Sequence, residues 1–191
     1  RLQSNPEAFL ARVVTQDETW VHHFDPETKE QSKQWKHKSS PPPRKFKLSS
    51  SAGKVMASVF WDSQGVLLID YLAKGETITG NYYARLLKTL RDKIKEKRRG
   101  KLSKGILLLH DNASAHTSQI AIATAQDCGF EILPHLPDLA PSDFYLFPKL
   151  KFELKGKHFA NDDDVIAAVE IFLESQSENF FMDGLVKLEK R

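Results

Sequence analysis

An apolar run near the middle of the chain ends abruptly on polar residues, and this junction constrains the fold more than any other feature. Residues 106–109, Ile-Leu-Leu-Leu, lead directly into His110, Asp111 and Asn112. A short continuous apolar run predicts a strand that is buried on both faces. A charge beside a dry core is costly unless a partner neutralises it. Asp111 therefore either caps the structure that follows or holds a cation.

The segments around this strand predict a mixed α/β sheet flanked by helices. The alternating segment 12–21 predicts a strand whose period of two places Asp17 on one face and Glu18 on the other. The expected order is strand, long loop, hairpin, helix, strand, helix, strand and three helices. Strands are predicted at 12–21, on both sides of a turn at 62–65, at 105–111 and at 130–134. Helices are predicted at 79–97, at 114–129 and from about Asp143 to Lys155, and two more helices follow Asn161.

Composition predicts one domain with a substantial core and excludes several kinds of site. The chain has 191 residues, of which 40% are hydrophobic. Its single cysteine, Cys128, permits neither an internal disulfide nor a cysteine-based zinc site. A zinc site formed by His110, His116 and His135 matches no established ligand spacing. No segment has the length of a membrane span or the pattern of a signal peptide. The chain begins without Met, and we expect it to be part of a longer protein.

Two basic clusters predict a polyanionic partner such as a nucleic acid, with solvated surface segments as the alternative. Between Lys29 and Lys54 there are eight basic residues and one acid, and a second cluster spans 91–104. The candidate DNA-binding residues are Lys29, Lys33, Lys36, Lys38, Arg44, Lys45, Lys47, Arg98 and Arg99.

Three aspartates stand where a mixed sheet of this kind would bring them together. Asp17 lies on the first strand, Asp111 follows the buried strand, and Asp143 lies in a turn at the start of a helix. Converging carboxylates raise one another's pKa, and a hard divalent cation removes that penalty. Two Mg²⁺ ions bridged by Asp17 would suit phosphoryl transfer. Taken singly, each aspartate is more often a cap or turn residue.

Three segments in the same order resemble the signature blocks of the mariner family of transposases: VTQDETW at 14–20, LLLHDNASAH at 107–116 and PDLAPSDFYLF at 137–147. The resemblance covers essentially the whole chain as a single catalytic domain, 1–191. It implies a ribonuclease-H-like fold and a catalytic, metal-binding triad of Asp17, Asp111 and Asp143 that uses Mg²⁺, with Mn²⁺ as a substitute. That site would hydrolyse phosphodiesters at transposon ends and join the freed 3′-hydroxyl to target DNA.

The resemblance has further implications for partners and location. The basic loop at about 25–54 matches the family's clamp loop, which contacts DNA and the partner subunit of a homodimer. The terminal inverted repeats of the transposon and the target DNA are the expected partners. The family's N-terminal DNA-binding region is absent from this chain. We expect the nucleus as the location, and Asn112 and His116, at the start of the helix after Asp111, as supporting residues.

One segment departs from the family's pattern and leaves other hypotheses open. The loop before Asp143 is shortened, and Asp111 and Asp143 are 143 − 111 = 32 positions apart. A displaced catalytic carboxylate can cost about 10²-fold in rate. The main alternative is therefore a catalytically impaired, transposase-derived module for DNA binding or dimerisation. A cellular nuclease of the same fold is a third hypothesis, and Asp138 is a less favoured substitute ligand.

Overall fold

A five-stranded mixed sheet forms the centre of the computed structural model, which describes residues 6–27, 49–134 and 140–190, with side chains up to residue 188. The strands are β1 (Val13–His22), β2 (Lys54–Asp62), β3 (Gly65–Leu72), β4 (Ile106–Leu109) and β5 (Phe130–Ile132), in the order β3-β2-β1-β4-β5. β1 to β3 form an antiparallel meander, whereas β4 and β5 run parallel to β1. The predicted sheet and the hairpin at 62–65 are confirmed.

Helices cover both faces of this sheet and create two hydrophobic cores. The helices are α1 (Pro6–Leu10), α2 (Gly80–Lys97), α3 (Gln119–Asp127), α4 (Phe147–Leu154), α5 (Asp162–Glu174) and α6 (Glu178–Val186). One core places α4, α5 and α6 against Val13, Val59 and Trp61. The other places α2 and α3 against Val14 and Phe60. Because side chains alternate along β1, consecutive residues of this strand enter different cores.

Side-chain caps determine where four of the described helices begin. Thr79 caps α2, Asn161 caps α5 and Ser177 caps α6. The helix expected at 114–129 starts later, because the Ser118 hydroxyl accepts the Ala121 N–H and makes Gln119 the first helical residue. His116 therefore lies in the turns that precede α3, and the prediction that it begins the helix is wrong. In the described ranges every helix is too short or too polar to serve as a membrane span.

A buried ion cluster joins the β2–β3 turn to the segment after α2. The carboxylate of Asp62 is fully buried and accepts hydrogen bonds from Arg98 at 3.1 and 3.2 Å and from the Lys101 ammonium at 2.8 Å. Burial lowers the pKa of Lys101, and the charge of Asp62 opposes that effect. The cluster lies at the edge where β1 and β4 begin, since Lys101 also contacts the Val13 carbonyl.

We expect Asp62→Ala to lower the free energy of unfolding by about 3–5 kcal/mol, because it leaves two buried cations without their counter-charge. The measurement is urea unfolding of the 191-residue chain. Glu96→Ala is the matched control, since Glu96 pairs with Lys93 on the exposed surface and its loss should change little. Equal effects of the two substitutions would contradict a structural role for the cluster.

Candidate functional site

Two of the predicted aspartates lie level with each other on neighbouring parallel strands. β1 pairs with β4 through Thr15 and Leu109, where β4 ends, while β1 continues to His22. The same register extended by two residues places Asp111 beside Asp17. Asp17 is buried, and Asp111 is partly exposed just beyond the end of β4. The parallel pairing thus brings together two carboxylates that are far apart in the sequence.

Asp143 reaches the same region from a different element. It lies in a π-helical turn, Ser142–Leu146, that leads into α4 and packs against β1. The indole nitrogen of the fully buried Trp61 donates to the Ser142 hydroxyl at 3.0 Å and anchors this turn to β2. Asp143 itself is exposed. Its predicted place at the start of a helix is confirmed, and Pro148 lies in the first turn of α4, where a proline is tolerated.

The carboxylate of Asp17 has an unusual environment for an acidic group. Its Oδ1 accepts the Glu18 backbone N–H at 2.8 Å, while its Oδ2 is buried without a hydrogen-bond partner among the described residues. Burial raises the pKa of Asp17 to about 7, and the charges of Asp143, Glu18 and Asp111 add to this rise. A cation beside Oδ2 would relieve both the missing bond and the repulsion. The residues present therefore fit a metal ligand set.

Asp111 makes a turn contact, which corresponds to the capping role, one of the two roles predicted for it. Its Oδ1 accepts the Ala113 N–H at 3.0 Å and thereby stabilises the turn after β4. The same oxygen lies 2.6 Å from Nδ1 of His116. The cap contact is present, and it leaves the second role, cation binding, as a proposal. The other supporting candidate, Asn112, is exposed beside Asp111, and its role stays a prediction.

Sequence reasoning missed Glu18, whose carboxylate takes part in the site. Oε1 of Glu18 lies 3.2 Å from Nε2 of His116, so the imidazole connects Glu18 to Asp111. The period of two along β1 did place Glu18 on the face opposite Asp17. The contact itself depends on the fold of the turn after β4, which no local pattern shows.

The described residues do not form a complete metal centre. Within residues 6–27, 49–134 and 140–190, no three His, Cys, Asp or Glu side chains are close enough together to hold one ion. The predicted two-metal arrangement of Asp17, Asp111 and Asp143 therefore belongs with the proposals below. Asp138 and His135 lie outside the described residues.

Most of the predicted DNA-binding residues cannot be placed. Seven of them, Lys29, Lys33, Lys36, Lys38, Arg44, Lys45 and Lys47, lie outside the described residues, as does most of the 25–54 segment. Arg98 pairs with Asp62 and so has a structural role, and we do not include it among the proposed DNA contacts. Arg99 is exposed at the edge where β1 and β4 begin, away from the aspartates, and its role stays a prediction.

Their large apolar rings predict core positions for the three tryptophans, with packing on a base or a partner chain as the alternative for Trp35. Trp61 is fully buried, as predicted. Trp20 is 40% exposed and lies beneath the Lys54 ammonium at 4.1 Å, so the core prediction for it is wrong. Trp20 lies on the half of β1 that extends beyond β4, where no neighbouring parallel strand covers it. Trp35 lies outside the described residues.

Comparison with known proteins assigns this arrangement to a family. A family described as "Transposase (partial DDE domain)" matches residues 25–104. The Mariner Mos1 transposase of Drosophila mauritiana is 31% identical over 189 residues, which are 96% of this chain and 54% of that protein. In a Mos1 paired-end complex with Mn, the matched structure has a TM-score of 0.86 at 30% identity, covering 99% of this chain and 56% of that one. The chain belongs to the mariner family of transposases.

Two further relatives define how much of a mariner protein is present. The crystal structure of the Mos1 catalytic domain has a TM-score of 0.78 at 27% identity, and the match covers 98% of this chain and 82% of that domain. This mariner-family chain therefore corresponds to the catalytic domain and has its ribonuclease-H-like fold. The human histone-lysine N-methyltransferase SETMAR is 34% identical over 194 residues, but these are only 28% of that protein. The chain thus spans about half or less of the curated relatives that it matches.

We expect the stability of the metal-free domain to fall between about pH 4 and pH 7 through Asp17. The folded state holds this proton up to a pKa of about 7, whereas the unfolded chain releases it near 3.8. The contribution is fully present below pH 3.8 and is lost as the pH rises through 7, with a magnitude of order 4 kcal/mol.

The test is urea unfolding of the wild type and of Asp17→Asn across this pH range without metal. The substitution removes the buried charge, so the variant should be the more stable protein at pH 8, and its advantage should vanish near pH 4. Asp92→Asn, an exposed acid on α2, is the control and should follow the wild type. Parallel pH profiles for Asp17→Asn and wild type would contradict the raised pKa.

Proposed function

We propose that this domain is a metal-dependent DNA transposase that hydrolyses phosphodiesters at transposon ends and joins the 3′-hydroxyl to target DNA. The observation that carries the proposal is the carboxylate of Asp17: its Oδ2 has no hydrogen-bond partner among the described residues, and burial together with the charges of Asp143 and Asp111 raises its pKa. An acid buried in this way among other acids lowers the stability of the fold. A function that needs the charge explains its presence.

The three aspartates divide the roles of metal binding according to their positions. Asp17, whose pKa responds to the charges of both other aspartates, would bridge two ions, and Asp111 and Asp143 would each hold one. Divalent ions in such a site lower the pKa of a bound water and stabilise the leaving oxygen. Mg²⁺ fits because it prefers oxygen ligands and takes few carboxylates, and Mn²⁺ would substitute for it. Related Mos1 complexes are described with Mn and with Mg, which supports this assignment.

Other residues of the site hold the aspartates in position. The backbone N–H of Glu18 holds Oδ1 of Asp17, so Oδ2 is the oxygen that would bind a metal ion. The Trp61–Ser142 hydrogen bond holds the turn that carries Asp143 against the sheet. The exposure of Asp143 and the partial exposure of Asp111 leave an open approach for a DNA strand.

The proposal extends to the partners and the location of the protein. Transposon ends and target DNA would be bound partly by the basic clamp-like segment 25–54, so the affinity should fall steeply with salt. A homodimer is supported by the relatives that are described as paired-end complexes. A DNA substrate of this kind also favours the nucleus.

A catalytically impaired DNA-binding or dimerisation module is the second candidate. Two observations favour it: the shortened segment before Asp143, and the absence of a gathered three-ligand group among the described residues. The two candidates differ in whether Asp143 reaches the metal.

Cleavage and joining assays on the 191-residue chain distinguish the two candidates. The substrates are a supercoiled plasmid, for nicking, and a short duplex with a free 3′-hydroxyl, for joining, each with Mg²⁺ or Mn²⁺. We expect the wild type to act on both, and Asp17→Ala, Asp111→Ala and Asp143→Ala each to reduce the rate by at least about 10²-fold. Asp92→Ala, an exposed acid on α2, is the matched control and should retain the wild-type rate.

Each other outcome assigns a different function. DNA binding without nicking in any metal would favour the impaired module. Nicking without joining would favour a cellular nuclease. Nicking that survives Asp143→Ala would show that the third ligand is another residue.

A further inference from the structure

An imidazole bridge connects the two acids Glu18 and Asp111 at the back of the candidate site. His116 is 1% exposed, and its two ring nitrogens lie 2.6 Å from Oδ1 of Asp111 and 3.2 Å from Oε1 of Glu18. An ionised carboxylate accepts hydrogen bonds, so each ring nitrogen that carries a proton can donate to the acid beside it. Burial by itself lowers the pKa of His116, but the hydrogen bonds and charges of Glu18 and Asp111 outweigh it and raise the pKa above 6.5.

The far end of this bridge is fixed on the central strand. Glu18 accepts a hydrogen bond from the Gln16 side-chain amide at 2.6 Å, and the Ser58 hydroxyl of β2 lies 3.5 Å away. Gln16 in turn accepts a hydrogen bond from the buried Tyr83 hydroxyl at 3.3 Å. Glu18 is therefore held by groups that belong to the sheet and its core.

The imidazole is also restrained by two rings that pack against it and against each other. The ring centroid of Tyr83 lies 4.1 Å from that of His116, and the ring of His110 stacks on it at 5.2 Å. Nδ1 of His110 also contacts the Tyr83 hydroxyl at 2.8 Å. A ring packed in this way cannot rotate freely, so the orientation of the Asp111 carboxylate is set by the core of the domain.

We propose that Glu18 is a positioning residue that acts through His116 to orient Asp111 for binding a divalent cation. The inference rests on the proposed function, because it assumes that Asp111 is a metal ligand. Groups that hold a metal ligand from behind typically change metal affinity by about 10- to 100-fold when they are removed.

The test is Mn²⁺ binding by isothermal titration calorimetry, with the metal-free melting temperature of each variant measured in parallel. We expect Glu18→Ala to weaken Mn²⁺ binding by about 10- to 100-fold. Glu18→Gln keeps an acceptor oxygen for His116 and should recover most of this loss. His116→Asn should weaken binding at least as much as Glu18→Ala, but it also leaves a void, so the Glu18 pair carries the test.

Asp62→Asn is the control. It removes the charge of a buried acid whose ion pairs with Arg98 and Lys101 lie away from the bridge, and it keeps both contacts of the bridge. A purely structural role for Glu18 would make Glu18→Ala resemble Asp62→Asn, with a changed melting temperature and unchanged Mn²⁺ affinity. That result would overturn the inference.

A double variant separates this inference from the proposed function. In an Asp111→Ala background, adding Glu18→Ala should not weaken Mn²⁺ binding further, because the ligand that Glu18 positions is already gone. Additive losses would overturn the inference. If the wild type binds Mn²⁺ and loses it in Asp17→Ala but not in Glu18→Ala, only the inference fails. If the wild type binds no Mn²⁺, the proposed function fails and the inference fails with it.

Discussion

The burial of the Asp17 carboxylate within the central strand is the constraint on which the rest of the site depends. β1 extends beyond the end of β4, and Asp17 lies on this extension, where the backbone stays paired to β2. One of its carboxylate oxygens accepts a backbone N–H, and the other has no hydrogen-bond partner among the described residues. Its desolvation costs stability, and the surrounding acids increase that cost. The other parts of the site are arranged around this charge.

Because side chains alternate along β1, the two faces of the sheet carry different parts of the site. Asp17 faces the side on which the turn carrying Asp143 packs, and Glu18 faces the side that holds His116. Two adjacent residues thus connect the site to both hydrophobic cores. A displacement of either helical layer would change the position of one aspartate relative to the others, so the geometry of the site depends on the packing of the whole domain.

A second buried carboxylate, Asp62, lies at the edge where β1 and β4 begin and has a different environment. Asp62 is more deeply buried than Asp17, but Arg98 and Lys101 neutralise it within the fold. The two acids therefore differ in role: Asp62 has its counter-ions within the fold, whereas Asp17 has none among the described residues. This contrast supports the proposal that the partner of Asp17 is a bound cation.

Sequence patterns alone determined the mixed sheet, the hairpin, the capped helices α2 and α5, and the positions of the three aspartates on their elements. These features follow from local periodicity and capping, which depend on residues close together in the chain. Only the tertiary structure decided that His116 precedes α3 and bridges Glu18 to Asp111, that Arg98 neutralises Asp62, and that Trp20 is exposed. Each of these contacts joins residues that are distant in the sequence or depends on where a neighbouring strand ends. Local sequence patterns do not predict such contacts, because burial and charge compensation are properties of the packed chain.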